Sequence, residues 1–451
     1  SGIGSNSVGG GTYGSLYRPV TLGSRGGPGS NNLPGPRGGG RLRIIIGAIF
    51  ILDGEVNVDG ESAGSNTRAG GGSGGSAWIT SGHIRGHGLI SSRGGQGDDN
   101  AGSGAGGRIA LHCSNIIEYR GALKALGDKR NTNGDFGGSG TVYLEDLRNG
   151  TYFRRLYIDN QDVVPPKAFV LQERHPILEE VDGYEELNEA DFAFDQVMLQ
   201  HMALFQIGHL NKTTSSISIY EVLGDLTAIL HVRGNQTFFI EYEEAEVHRA
   251  EPPVNFIIDQ HGELYAPNDF RVIGSRVPAV YLDGRLTGVY NLSIAEEKVM
   301  MVGPHATNAL VKNRTYTETP VPGKLQLGEL KLEAEARLTY PSRMEIDVDD
   351  LIMRYAARIE AESLLIQASN LNIEGEAKMV VSGRGYTSGH GEAPGVENEA
   401  GHGTGGGHGG YGGGTDISNR THGNCCLYLR DMLVWSCLIS FSYLVIWKTV
   451  Y

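Results

Sequence analysis

The segment MEIDVDD (Met344–Asp350) carries the densest alternating carboxylates in this chain. On a strand, Asp347 and Asp349 share one face about 7 Å apart, a separation that suits the acid and base of an inverting glycosidase. Some 20 residues further on, the matching positions are Gln367 and Ser369. No acidic ladder is expected there to bind calcium or flank a sugar, so solvated turn carboxylates are the simpler reading. Arg337, Arg358 and Lys378 recur at matching places and form a basic stripe that could grip an acidic glycan. Each has a carboxylate two residues away, at Glu335, Glu360 and Glu376. One step along, Glu333, Arg354 and Glu374 alternate in sign, as stabilising cross-strand pairs do. His390, His402 and His408 stand in glycine-rich sequence at spacings that match no metal motif. The glycine runs hold no Walker pattern, and no Ser/His/Asp nucleophile context is present. No catalytic, cofactor or metal residue is therefore assigned.

The elements that would position these groups are read from a repeat. LKLEAEARLTY begins at Leu330, LIMRYAARIEA at Leu351 and LNIEGEAKMVV at Leu371, at spacings of 21 and 20 residues. Every second residue in each copy is apolar or small, which is the period of a strand and not of a helix. A second alternating piece lies between copies, at Met344, Ile346, Val348 and again at Leu364, Ile366, Ala368. Each repeat thus reads as two strands and two turns, too short for a βαβ crossover of roughly 30 residues. It suits one coil of a parallel β-solenoid. Ala336, Ala357 and Ala377 fall at one place in every coil and read as a tight inward position.

The chain has 451 residues and 68 glycines, of which only 12 lie between residues 151 and 380. The four cysteines, Cys113, Cys425, Cys426 and Cys437, show no metal or disulfide spacing. A net charge of −14 argues against nucleic acid as a partner. The opening SGIGSNSVGG has no initiator Met or signal peptide, and a fragment or processed chain is expected. Six N-x-Ser/Thr sequons, at Asn149, Asn211, Asn235, Asn291, Asn313 and Asn419, favour a secretory route with N-glycosylation.

Along the chain, residues 1–40 read as glycine-rich loop or irregular coils and 41–148 as glycine-rich solenoid coils. Residues 149–383 read as the main coils, with an acidic excursion at 171–190, and 384–424 as a second glycine-rich segment. Residues 425–451 form a hydrophobic tail. Its apolar run Met432–Trp447, with Met432, Trp435, Phe441 and Trp447, is slightly short of the about 20 residues of a membrane helix. A terminal anchor, the tail of a lipid-anchor signal, an unrelated segment and a core helix all remain open for it.

The phrases GGGSGGSAWIT, GAGGRIAL and NIEGEAKMVVSGRGY resemble those of large glycine-rich repeat proteins of plants, protists and some animals. The resemblance spans nearly all of residues 1–415. It implies a right-handed parallel β-helix like the pectin-lyase superfold in a secreted or cell-surface protein, and it carries over no catalytic residue. The expected fold is all-β: an elongated right-handed parallel β-helix with glycine-rich coils at both ends and a short C-terminal hydrophobic segment. The expected function is non-enzymatic, as a structural or adhesive segment outside the cell. Extracellular glycans or matrix proteins are the expected partners, and membrane anchorage would come through the tail. A carbohydrate-active β-helix enzyme or a glycan-binding module is the alternative.

Overall fold

The computed structural model describes residues 9–30, 34–98, 101–128, 136–162, 171–173, 191–209, 215–240, 249–309, 311–312, 315–316, 321–341 and 343–381. Among them there are only strands, turns and extended segments, and the sheets are mostly parallel. From Gln236 to Ala309 the chain moves in rotation through a twelve-stranded, a six-stranded and an eight-stranded sheet. The side chains that alternate inward stack in ladders. One runs Phe205, Leu230, Phe256, Val280, Met300, Leu338, Ile359, Met379 through seven consecutive parallel pairings. All but Met379 are buried, and Met379 packs against the same core. At about 1.5–3 kcal/mol for each fully buried apolar side chain, such ladders are the main favourable term.

The spacing read at the C-terminal repeats is the observed register. Leu330 pairs with Leu351 and Leu351 with Leu371; Met344 pairs with Leu364 and Ile346 with Ile366. Two strands per repeat are present, cut at different places from those expected. Arg343–Met353 is one long strand that joins the two alternating pieces; Asp349 is skipped in the pairing between them, and the register is the same on either side. A turn then interrupts the expected period-2 run. Ala336, Ala357 and Ala377 donate their N–H to the carbonyls of Glu333, Arg354 and Glu374, three residues back. The residues before them, Glu335, Ala356 and Glu376, have φ of 58, 55 and 62°. Tyr355, expected inside, is therefore exposed on the turn. Ala336 and Ala357 are fully buried, as their recurrence predicts.

Leu286 ends another ladder by pairing with Asn308, which is buried. The Asn308 amide donates to the Gln326 carbonyl at 2.5 Å and accepts from its N–H at 2.6 Å. A side chain thus links the strand Thr307–Ala309 to the strand Lys324–Leu332. Leu171–Glu173, inside the expected excursion, form a strand parallel to Ile207–His209.

The core changes sides of the twelve-stranded sheet. Arg41–Ile51, Ser76–Gly86, Arg108–Cys113 and Thr141–Arg148 are its first parallel strands. They bury Ala77, Ile79, Ile109, Leu111, Val142 and Leu144 in one cluster. Thr141–Arg148 then pairs antiparallel with Thr151–Asp159. That hairpin sets Tyr143 opposite Leu156, so the face that was outer becomes the inner face of all that follows. Asp146, with a fully buried side chain, holds the hairpin by accepting from Arg148, from Arg155 at 3.0 Å and from the Ile117 N–H at 3.1 Å.

The glycine-rich stretches among the described residues are ordered too. Their backbones bond at a three-residue step: Gly23 and Gly26 donate to Gly39 and Pro36, Gly72 and Gly75 to Glu61 and Val58, Gly137 and Gly140 to Asp128 and Ala125. This is the period of packed polyproline II-type chains, which turn every three residues or so. Glycine is required where they touch. A Cβ on Gly75, Gly107 or Gly140 would overlap the carbonyl of Gly40, Gly75 or Gly107, the equivalent residue one repeat earlier.

Candidate functional site

Two ranks of side chains cross the strands on the face where the core changes sides. Arg43, Trp78, Ala110 and Tyr143 form one, and Ile45, Thr80, His112 and Glu145 the next. The hairpin adds Arg154 opposite Glu145. The segment around Tyr17 lies across this face: Arg108 donates to the Tyr13 carbonyl at 3.1 Å, and Arg41 to that of Val20 at 3.2 Å. Tyr17 packs edge-on against Tyr143 with ring centroids 4.8 Å apart. Between this segment, the ranks and the hairpin opens a cavity of about 800 Å³, lined among others by Arg18, Arg43, His112, Glu145, Tyr152 and Arg154.

The polar heart of the groove is Glu145. It receives His112 Nδ1 at 3.1 Å, the Tyr143 hydroxyl at 2.9 Å and Arg154 Nε at 3.4 Å. Burial pushes its carboxyl up, but the hydrogen bond and charge of His112, the Tyr143 hydroxyl and Arg154 outweigh it and hold the group at about 2. Burial, with Glu145 beside it, pushes the Tyr143 hydroxyl far above the usual tyrosine range. His112 Nε2 meets the Tyr17 carbonyl at 2.7 Å. Both ring nitrogens thus face oxygen atoms. The Arg43 guanidinium lies 4.2 Å from the Trp78 ring centroid, so Trp78 is a covered support, whereas Tyr152 is half exposed. With its carboxylate saturated and ionised, the groove offers charge, donors and one open aromatic ring rather than a group ready to exchange protons.

The carboxylates singled out in the sequence are held elsewhere. Asp347 pairs with Lys324 Nζ at 2.9 Å, and Asp349 accepts from the Tyr290 hydroxyl at 2.9 Å. Arg337, Arg358 and Lys378 do stack in register. No ion pair joins them to Glu335, Glu360 and Glu376 among the described residues. Arg354 pairs with Glu374 as the sign alternation predicts. Glu333 instead takes Arg271 at 2.6 Å. Burial raises the Glu333 carboxyl, but Arg271 outweighs it and the net shift is downward.

Of the sequons, Asn149 and Asn235 sit at exposed turns with φ of 49 and 64°. Asn291 lies in a strand and donates its amide to Asp269 at 2.5 Å. Asn211, Asn313 and Asn419, the three histidines of the C-terminal glycine-rich segment and the tail with Met432, Trp435, Phe441 and Trp447 lie outside the described residues. Among those described, no helix is long and apolar enough to cross a membrane, and no three His, Cys, Asp or Glu are grouped to hold a metal ion.

The groove residues escaped the reading of the sequence because they lie in separate repeats of 32–35 residues. A signal was present: Gly40, Gly75, Gly107 and Gly140 each precede a strand. Aligning them places position +3 in one rank and +5 in the next. No protein-family model, curated protein or solved structure matches this chain.

Proposed function

We propose that this chain is a non-enzymatic structural and adhesive segment of a secreted or cell-surface protein. It is built as an elongated right-handed parallel β-helix and engages extracellular glycans through the groove at the core switch. The rotation through three parallel sheets supports the solenoid, since each repeat contacts only its neighbours and length grows by repetition. The observation that carries binding over catalysis is the state of Glu145. A general acid or base works best with a pKa near the operating pH. Glu145 is held far below that range by three donors. Asp347 and Asp349 each serve a separate structural contact. Right-handedness follows the general chirality of parallel crossovers.

The test is a glycan array together with reducing-sugar and unsaturated-product assays on the full chain. Retention of saccharides without turnover is expected. Catalysed cleavage that disappears with Asp347→Asn, Asp349→Asn or Glu145→Gln would replace this reading with an enzymatic one.

A further inference from the structure

The groove is a basic site in an acidic chain. The formal net charge is −14, yet three arginines, Arg18, Arg43 and Arg154, line the cavity against one carboxylate, Glu145. Glu145 is already saturated by His112, Tyr143 and Arg154. Asp195, nearby, is turned to the Arg154 backbone N–H at 2.6 Å. Arg154 spends Nε on Glu145, and among the described residues its terminal amino groups make no hydrogen bond. Its side chain is 42% exposed. A planar guanidinium with both terminal groups open is a bidentate receptor for a carboxylate or sulfate.

Tyr152 lies two residues before Arg154 on the same strand, so both project from one face, about 7 Å apart. Tyr152 is 49% exposed. A ring platform at that distance from an anion fork fits one pyranose unit that stacks on the tyrosine and points its acidic group at the arginine. A neutral sugar would instead cover the open terminal groups of the guanidinium without giving them a charged partner. The stripe Arg337, Arg358, Lys378 is a weaker receptor. It lies on an open sheet face and is bordered by Glu297, Glu335, Glu360 and Glu376.

We infer that the groove binds an acidic saccharide, stacked on Tyr152, with its carboxylate or sulfate in the fork of Arg154 and Arg18 and Arg43 adding to the attracting field. This rests on the reading of the chain as a glycan-binding adhesive segment. The experiment titrates the full chain by calorimetry with three probes of matched length: a neutral xylo-oligosaccharide, an oligogalacturonate and a sulfated heparin oligosaccharide.

One or both acidic probes should bind, more weakly as salt rises, and the neutral one should not. Arg154→Ala should weaken binding about tenfold or more. Arg154→Lys should recover part of it, because the charge returns without the fork. Tyr152→Ala alters an exposed ring and serves as the second groove variant should Arg154→Ala lower the melting temperature. It should also weaken binding, whereas Arg337→Gln with Arg358→Gln should leave it unchanged. Equal binding of the neutral and acidic probes would overturn this inference and leave the adhesive reading standing. Binding lost through the stripe variants and not the groove variants would overturn the site. Binding of none of the probes, with none retained on the glycan array, would overturn both.

Discussion

Glu145→Gln isolates the electrostatics of the groove. The Glu145 carboxyl is held at about 2 against an ordinary value of 4.5. A pKa shift is a difference in stability, at about 1.4 kcal/mol per unit, so ionised Glu145 contributes up to about 3 kcal/mol. The folded pKa is the lower one. The contribution is therefore fully present above pH 4.5 or so and is lost as pH falls toward 2. Glutamine keeps the shape but turns an amide donor toward groups that already donate. Hydrogen exchange of Arg108–Cys113 and Thr141–Arg148 reads the opening free energy locally, at the strands that carry the groove. Comparing wild type and variant at each pH cancels the intrinsic exchange rate and the other acid-titrating carboxylates. The difference should be about 3 kcal/mol at neutral pH and shrink toward zero near pH 2. A difference that stays constant from pH 7 to pH 2 would refute the view that an ionised carboxylate organises the groove.

Asn308→Ala removes both of its hydrogen bonds to the half-buried Gln326 backbone and should cost about 1–3 kcal/mol, read as a lower denaturation midpoint; an unchanged midpoint would show that the amide bridge is dispensable. Gly107→Ala drives a Cβ into the Gly75 carbonyl and should cost about 3 kcal/mol or destroy local protection from exchange, whereas Gly54→Ala, where a Cβ meets nothing within 4 Å, should be mild. Ala357→Asp buries an unpaired charge and should lower the melting temperature sharply, while the neighbouring Arg358→Ala should cost about 1 kcal/mol or less. Expressed through a secretory host, the chain should carry glycans at Asn149 and Asn235 and none at Asn291, whose amide is engaged within a strand; peptide mass spectrometry with and without glycosidase decides this.

The parts of the fold legible in the sequence are those where side chains carry the pattern. Between Leu330 and Met379, alternation and a fixed repeat length give strand type, direction and register together, because a slip of one residue would turn every Leu and Ile outward. Alternation could not show where a strand bends. Gly328 and Asp349 are both skipped in the pairing of their strands, and because each strand skips one residue the register carries through a single strand where two were expected. The described glycine-rich stretches were legible only as coils, for the opposite reason. Their order lives in backbone bonds, and the only trace in sequence is glycine at i and i+3, as at Gly23 and Gly26 or Gly104 and Gly107. The groove needed one further step. Its ranks become visible only once repeats of unequal length are aligned on the glycine before each strand.

The groove exists because one sheet serves two cores. In a plain stack the outer face of a strand meets water, and its side chains need only be soluble. Here the antiparallel hairpin reverses which alternate set is inward: Val142 and Leu144 belong to the first core, Leu156 and Ile158 to the second. The outer face of the earlier strands must then pass from the second core to solvent within a few positions. Trp78, Ala110 and Tyr143 are buried, His112 and Glu145 keep 17% and 21% of their side chains exposed, and Ile45 on the edge strand is 66% exposed. A carboxylate at the middle of that gradient is dry enough to hold its donors tightly and wet enough to stay ionised. The adjacent carboxylate, Asp146, points to the opposite face and ties Arg148 to Arg155 across the two arms of the hairpin. Two neighbouring acids on alternate faces thus hold both the reversal of the core and the site that the reversal creates.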